Sequence, residues 1–295
     1  MPKSDKETEQ PFNSIAEIYD TDFTHSQTGI LQRERVHYYL KKHLANRSKV
    51  SVLELNCGTG EDAVWLAKQG CTVLATDISE TMVLVAKEKV SKQHLETKIT
   101  CKALSIEDLD SLDTSVKYDL IFSDFGGLNC VAPENFKKIS QSLQRLLKPN
   151  GRFIGVIMSR FCWWEILYFT LKGQFKKAWR RRTKEAIAAP LTPTTTVDTW
   201  YFSPKEFSRL LQAEFDCPKV HPVGFMLPPS YLDNWFKNKP FLMRILNRLE
   251  KVSPSFCSKW SDHYMIVLRP KECSKNKTNV LRHLFGLKIS KKSNV

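Results

Sequence analysis

Short apolar runs and amphipathic stretches alternate along residues 50–158, and this alternation constrains the fold more than any other feature. The apolar runs, each bounded by turn residues, predict strands at residues 50–55, 72–76, 98–102, 119–123 and 153–158. The amphipathic stretches predict helices that follow Gly60, Ser79, Ser105 and Pro133. Strands that alternate with helices are typical of a parallel sheet covered by helices on both faces. The sequence therefore predicts an α/β fold around a mostly parallel sheet.

Further elements are predicted beyond residue 200. Residues 203–206 (SPKE) form a capping box with proline at the first helical position, which predicts a helix to about Ala213. A strand near residues 219–223, a helical segment at 231–252 and a strand at 264–268 are predicted to follow.

The charge of the chain is divided unevenly. Residues 1–150 carry 19 basic and 21 acidic side chains, whereas residues 151–295 carry 26 and 10. A cationic excess favours an anionic partner such as nucleic acid, a lipid surface or an acidic substrate, and it is equally typical of a solvated basic surface. No apolar run approaches the ~20 residues of a membrane-spanning helix, and the N-terminus is polar. We therefore expect a cytoplasmic protein, with association at the membrane periphery as a further expectation.

Eight cysteines are scattered through the chain without a Cys-x-x-Cys pair or a histidine at ligand spacing. The pattern predicts reduced cysteines, with neither a disulfide framework nor a metal site. Several lie in strand-like apolar surroundings, so most are expected to be buried.

A glycine-rich turn, ELNCGTGEDA at residues 54–63, follows the first strand. Gly58 and Gly60 lack Cβ atoms that would block a ligand, and the next helix directs free N–H groups and its positive dipole end toward the turn. Asp77 stands 19 residues after Gly58, where a carboxylate can accept hydrogen bonds from ribose hydroxyls. The pattern predicts a nucleoside site. Gly58-x-Gly60-x-x-Ala63 also fits a dinucleotide fingerprint, so a nicotinamide-dependent oxidoreductase remains an alternative at this point.

Four motifs in order, LELNCGTG, LATDIS, KYDLIFSDF and LLKPNGRF, resemble those of class I S-adenosylmethionine-dependent methyltransferases. The resemblance is closest to the small-molecule and lipid group that includes quinone C-methyltransferases, and it covers about residues 50–160. It implies a Rossmann-like methyltransferase fold, with a mostly parallel seven-stranded sheet, helices on both faces and a helical insertion. It also implies S-adenosyl-L-methionine as the cofactor.

Position by position, the resemblance implies a cofactor-binding set drawn from five segments of the chain. Its members are Tyr19, Glu54, Asn56, Gly58, Gly60, Asp77, Ile78, Ser105, Ile106 and Ser123. Glu54 would engage the amino group of the methionine part, Asp77 the ribose and Ile78 the adenine ring. Asn56 stands where the family most often has glycine. Ser105 stands where many members have aspartate, which weakens any side-chain bond to the adenine amino group.

Transfer of a sulfonium methyl group requires mainly that a nucleophile is aligned and that water is excluded. A hydroxyl, phenol or acidic carbon nucleophile would also need a base. Asp124, directly after the fourth strand, is placed for this role by topology, and His263, beside Asp262 before the last strand, is the second candidate. The sequence SDFGG lacks the Pro-Pro-aromatic signature of amino-methylating nucleic-acid enzymes, which argues against DNA amino methylation.

Residues 160–200 are rich in aromatic and basic side chains. On one helix, six of them would form an apolar stripe: Trp164, Leu167, Tyr168, Leu171, Phe175 and Trp179. Four cations would lie beside or opposite it: Lys172, Lys176, Arg180 and Arg181. Such a segment suits a substrate lid or an anionic membrane surface, which are compatible, and less well single-stranded RNA.

Together these features predict five segments: an N-terminal helical cap at 1–48, an S-adenosylmethionine-binding core at 49–159, the insertion at 160–200, the C-terminal part of the methyltransferase fold at 201–270 and a basic tail at 271–295. The leading hypothesis is in-line transfer of a methyl group from S-adenosyl-L-methionine to a small or lipid-like hydrophobic acceptor. The alternatives are the nicotinamide-dependent oxidoreductase, an RNA-directed methyltransferase and a cofactor-binding scaffold without activity.

Overall fold

The structure, a computed structural model, describes residues 10–45, 47 and 49–271. The predicted basic tail, apart from Lys271, lies outside the described residues, as do the first nine residues of the predicted cap. Within the described part of the chain, no helix combines the length and the apolar character that crossing a bilayer requires.

Nine strands are described. Their bounds are β1 Ser51–Leu55, β2 Thr72–Asp77, β3 Ile99–Ala103, β4 Tyr118–Ser123, β5 Leu147–Met158, β6 Ile187–Pro190, β7 Thr196–Thr199, β8 Phe215–Val223 and β9 His263–Pro270. Seven of them form one sheet in the order β3-β2-β1-β4-β5-β9-β8, and β6 pairs with β7 separately. In the large sheet β9 is antiparallel to both of its neighbours, and the other pairings are parallel. The predicted α/β fold with a mostly parallel sheet is confirmed.

The strand order reverses between β1 and β4, and the carboxyl ends of these two strands lie side by side. Glu54 pairs with Phe122, and Leu55 pairs with Ser123. Open α/β sheets bind ligands outside the carboxyl ends of their strands at such a switch point. The topology therefore gathers the predicted strand-end residues at one edge of the sheet.

Nine α-helices are described. Their bounds are α1 Gln27–Leu44, α2 Glu61–Lys68, α3 Glu80–Lys92, α4 Phe136–Leu146, α5 Trp163–Leu171, α6 Phe175–Ala178, α7 Pro204–Leu210, α8 Asp233–Phe236 and α9 Pro240–Val252. Leu40 of α1 and Leu66 of α2 share a buried cluster with Val52 of β1. Leu143 of α4 and Phe207 of α7 share another cluster with other residues of the sheet. Because successive side chains of a strand point to opposite faces, both faces of the sheet are covered.

Two helix predictions hold in type but not in extent. The Ser203 side chain accepts from Glu206 N and Glu206 bonds back to the Ser203 backbone, so the capping box is confirmed, but α7 ends at Leu210. The helical segment predicted at 231–252 is divided into α8 and α9, and Pro240 begins the second helix. Proline lacks the N–H that would continue the first helix.

The insertion is not the single helix that its periodicity suggested. α5 ends at Leu171, Gly173 has a φ of 68°, and α6 is a single turn. Glycine at positive φ commonly ends a helix because it carries no Cβ. Arg181 is 7% exposed and pairs with Asp262, so it does not belong to a solvated basic face. The prediction of one continuous amphipathic helix is therefore wrong.

Candidate functional site

The turn after β1 leaves an open cradle at the carboxyl edge of the sheet. Gly58 and Gly60 have φ values of 52° and 77°, which residues with a Cβ rarely adopt. A Cβ on Gly58 would come within 4 Å of one atom among the described residues, Tyr19 Cε1 at 3.9 Å. A Cβ on Gly60 would lie 3.0 Å from the Cβ of Ala86. Gly58 thus keeps space free for a ligand, whereas Gly60 allows α2 to pack closely on α3.

Asp77, at the end of β2, faces the same turn. Its Oδ2 accepts a hydrogen bond from Gly58 N and its Oδ1 accepts one from Ser79 N, both at 2.9 Å. Burial raises the pKa of Asp77, although these N–H groups favour its charged form. The next residue, Ile78, is 45% exposed. The end of β2 therefore presents one carboxylate and one open apolar side chain beside the cradle.

Asn56 joins the turn after β1 to the loop after β4. It has a φ of 46°, its Nδ2 donates to the backbone oxygen of Asp124 at 2.7 Å, and Ser123 Oγ donates to its Oδ1 at 2.5 Å. Gly127 approaches so closely that a Cβ there would lie 2.1 Å from Asn56 Cγ. Asn56 and Ser123 thus fix the wall between the two loops.

Two carboxylate oxygens beside this wall, Glu54 Oε2 and Asp124 Oδ2, are buried without a hydrogen-bond partner among the described residues. Burial is the largest cause that raises the pKa of both carboxyls well above the usual range, and the charge of Asp62 adds to it. Burying an unpaired carboxylate is costly. The pair is therefore complementary to a cationic ligand.

Arg33, His37 and Asp62 form an ion-pair cluster beside these carboxyls, and the sequence analysis missed it. Arg33 Nη1 contacts Asp62 Oδ2 and lies 3.8 Å from Asp124 Oδ2, while His37 Nε2 is 2.7 Å from Asp62 Oδ1. Burial opposes the ionisation of Asp62, but Arg33 and His37 hold its pKa below the usual range. The four-residue spacing of Arg33 and His37 on α1 was the available signal. That spacing does not indicate which acidic residue these two side chains contact.

The N-terminal segment lies against the same edge. Asp20 accepts a hydrogen bond from Thr59 Oγ1 at 2.5 Å and one from Lys89 Nζ at 2.6 Å, which ties the segment to α3 and to the turn after β1. Tyr19, the residue before it, is half-buried beside Gly58. Burial raises the pKa of Tyr19 to about 12. Tyr19 is therefore an un-ionised phenol at the rim of the cradle.

The turn that carries Ser105 and Ile106 lies next to the end of β2. Leu104 N donates to the backbone oxygen of Asp77 at 2.8 Å, which joins the two strand ends. Ser105 Oγ accepts from Glu107 N at 3.1 Å and caps a short 3-10 helix, Ile106–Ser111. Both predicted residues are half-buried along this edge.

Phe125 connects the carboxyl cluster to His263. The Cζ of Arg33 lies 5.3 Å from the centroid of the Phe125 ring, and the ring of His263 packs edge-on against it at 5.2 Å between centroids. Phe125 has a φ of 26°, and such strained backbone clusters at functional sites. His263 Nδ1 lies 3.2 Å from Asp262 Oδ2, and Asp262 also pairs with Arg181 at 2.8 Å. Phe125 thus lies between the two candidate bases, Asp124 and His263.

Comparison with known proteins gives the same assignment as the motifs. Residues 52–151 match a family described as a methyltransferase domain. The chain is 29% identical over 167 residues to the ubiquinone/menaquinone biosynthesis C-methyltransferase UbiE of Acidiphilium cryptum. The aligned region covers 54% of this chain and 63% of that relative. The chain thus spans less than two thirds of the length of this curated relative.

Two solved structures show the same fold. The CcbJ methyltransferase from Streptomyces caelestis has a TM-score of 0.59 at 16% identity, with 89% of this chain and 98% of that chain covered. The DhpI–SAH complex has a TM-score of 0.56 at 16% identity, with 89% and 94% covered. The matched methyltransferase domain at residues 52–151, the sheet order and the glycine-rich cradle together show a Rossmann-like methyltransferase fold, which resembles that of class I S-adenosylmethionine-dependent methyltransferases and, in sequence, the quinone methyltransferases.

Proposed function

We propose that the protein transfers a methyl group from S-adenosyl-L-methionine to a small, lipid-like hydrophobic acceptor. The observation that carries this proposal is the pair of buried oxygens, Glu54 Oε2 and Asp124 Oδ2, which accept no hydrogen bond from any described residue and lie beside the open turn at Gly58. The amino group and the sulfonium of this cofactor are cationic, so the residues present fit it. A pyrophosphate would instead disfavour the ionised form of these carboxyls and gain no charge pairing from them. The site therefore favours this cofactor over a dinucleotide.

Other groups on the chain fit the rest of the cofactor. Asp77 would accept hydrogen bonds from the ribose hydroxyls, and Ile78 would cover one face of the adenine. Arg33, half-buried and 3.8 Å from Asp124 Oδ2, would balance the carboxylate of the methionine part. Ser105 and Ile106 would border the adenine edge. Tyr19 would close the cradle from the N-terminal side.

When bound, S-adenosylmethionine supplies a methyl group that is already activated on its sulfonium. We propose that His263 accepts the proton that the acceptor loses. Asp262 Oδ2 lies 3.2 Å from His263 Nδ1 without meeting hydrogen-bond geometry, and Nε2 is the atom proposed to face the acceptor. Asp124 remains the other candidate base, because burial raises its pKa and an ionised carboxyl with a raised pKa is a stronger base.

An apolar cap supports the choice of acceptor. Its core joins residues of α1, α5, α8 and α9: Leu31, Trp164, Tyr168, Phe236, Leu242 and Met243. Glu165 of α5 pairs with the buried Arg181 at 2.7 Å, and Arg181 pairs in turn with Asp262, the neighbour of His263. These ion pairs thus hold the insertion next to the proposed base, His263. This supports the lid reading of the insertion and a hydrophobic acceptor beneath it.

Calorimetric titration tests the cofactor assignment. Wild type should bind S-adenosylmethionine and should not bind reduced nicotinamide dinucleotide. Asp77→Ala should lose measurable binding and Asp77→Asn should weaken it, while the matched control Asp113→Ala, on an exposed turn, should bind as wild type does. Saturable binding of the nicotinamide cofactor without a response to S-adenosylmethionine would overturn the proposal.

The acceptor class is tested by S-adenosylhomocysteine formation with a short-chain demethylmenaquinol, chosen because the curated relative is a quinone methyltransferase. Turnover with the quinol, and none with single-stranded RNA, is expected. Turnover with RNA alone would instead support the RNA-directed alternative.

A further inference from the structure

Helix α9 is apolar on two sides. Leu242, Met243 and Leu246 belong to the cap core. Four other apolar residues point outward, with exposures of 73, 38, 43 and 75%: Phe241, Ile245, Leu249 and Val252. Their spacing of four, four and three residues places them on one stripe of the helix. A helix that is buried on one apolar side and still exposes a second one has a face that the described residues leave uncovered.

The exposed apolar surface continues beyond both ends of α9. Trp235, shortly before the helix, is 59% exposed, and Phe256, shortly after it, is 72% exposed. On α5, which shares the cap core, Leu171 is 79% exposed. Large apolar side chains exposed in this number on neighbouring elements are typical of an interaction surface.

The charges beside the stripe are all positive. Arg244, Arg248 and Lys251 are exposed and lie next to the apolar stripe at 100° per residue. Every residue of α9 is described, and its one acidic side chain, Glu250, is fully buried. The carboxylate of Glu250 accepts hydrogen bonds from Gly224 N at 2.9 Å and Met226 N at 2.7 Å. The outer surface of α9 is therefore a sector of apolar residues flanked by a sector of cations.

We propose that this surface, the outer face of α9 with Phe241, Ile245, Leu249, Val252 and its flanking cations, docks on an anionic lipid bilayer. An interfacial helix inserts its apolar stripe at the boundary between headgroups and acyl chains, and Lys and Arg beside it pair with anionic headgroups. A second copy of the chain fits less well, because a symmetric contact would bring two rows of Arg and Lys together.

The position of α9 connects docking to the site. Glu250 holds the loop that follows β8, and Gly224 in that loop accepts a hydrogen bond from Asp262 N at 3.0 Å. Asp262 precedes His263, so α9 lies at the carboxyl edge of the sheet where the acceptor would enter. The inference deepens the proposed function, since a lipid-like acceptor resides in a bilayer, but docking can be measured without methyl transfer.

Co-sedimentation of the full chain with vesicles tests the proposal. Wild type should sediment with phosphatidylglycerol vesicles and much less with phosphatidylcholine vesicles. Phe241→Ser/Val252→Ser should lower the apparent affinity at least tenfold, and Arg244→Gln/Arg248→Gln should remove the preference for the anionic lipid. Leu84→Ser, an equally drastic change at a 58% exposed residue of α3, is the matched control and should bind as wild type does.

Equal sedimentation of wild type and Phe241→Ser/Val252→Ser would overturn the proposal. So would light scattering that finds a dimer for wild type and a monomer for this variant, because the stripe would then be a self-association surface. Turnover of a soluble short-chain acceptor should be the same for both proteins. If wild type binds vesicles but methylates no acceptor, docking stands and the proposed function fails.

Discussion

Replacing Glu54 by glutamine removes the ionisable carboxyl from the cradle and keeps the shape of the side chain. In the unliganded protein Glu54 is 2% exposed, and its Oε2 has no hydrogen-bond partner among the described residues. The carboxylate thus contributes little to the stability of the unliganded fold. Its expected use is a charge-assisted hydrogen bond to a cationic cofactor, so the variant should separate binding from stability.

The magnitude follows from that hydrogen bond. A hydrogen bond to a charged group contributes about 1.5–3 kcal/mol. Losing it should weaken the binding of S-adenosylmethionine and S-adenosylhomocysteine about 10- to 150-fold. Burial raises the pKa of Glu54, so the folded state disfavours its ionised form, and the variant should unfold in urea at the same or a higher denaturant concentration than wild type.

Calorimetry of both ligands and urea unfolding measure the two effects. Glu88→Gln is the matched control, since the Glu88 side chain is 70% exposed and its pair with Lys92, at 3.6 Å, contributes little. Cofactor affinity of Glu54→Gln within threefold of wild type would refute the assignment. A loss of stability as large as the loss of affinity would show that Glu54 has a structural role instead.

Three further outcomes are expected. Gly127→Ala should lower the free energy of unfolding, measured in urea, by about 1–3 kcal/mol, because the new Cβ would overlap the Asn56 amide. Adding Asn56→Gly to the same chain should restore most of the lost free energy. No rescue would show that the clash lies elsewhere. His263→Gln should lower kcat with an active acceptor about 100- to 10,000-fold. The dissociation constant of S-adenosylhomocysteine should stay unchanged. An unchanged kcat would leave Asp124 as the base. The raised pKa of Glu54 means that the unliganded fold holds a proton that the unfolded chain releases above about pH 5, so its stability falls as pH rises toward that pKa. A bound cation favours the ionised carboxylate, so the increase in melting temperature caused by S-adenosylhomocysteine should grow as pH rises from the usual carboxyl range toward the raised pKa of Glu54, and a constant increase would contradict this coupling.

Local patterns in the sequence were sufficient for the core of the domain. The alternation of strands and helices, the turn at Gly58 and the acid at Asp77 are all set within short windows, because glycine conformations and strand-end positions depend on nearby residues. The same holds for the capping box at Ser203, which involves groups only three residues apart. These features predicted the fold, and the resemblance of the motifs implied ten candidate cofactor residues, most of them at strand ends that meet at one edge of the sheet.

Contacts between distant segments were beyond the sequence. The pairing of Arg33 with Asp62 joins two helices, and the burial of Arg181 against Asp262 joins the insertion to β9. For this reason the periodicity that suggested a solvated basic face on the insertion was misleading. On α9, the sequence pattern did not distinguish the apolar residues that are buried from those that stay exposed. The sequence by itself determined the sheet and the cradle, since both depend on local spacing, and its four ordered motifs carried the resemblance that implied the class of cofactor. Tertiary structure alone decided which charges are paired, which carboxyl oxygens are left without a partner and which apolar face stays exposed, because burial and long-range pairing depend on the whole packed chain.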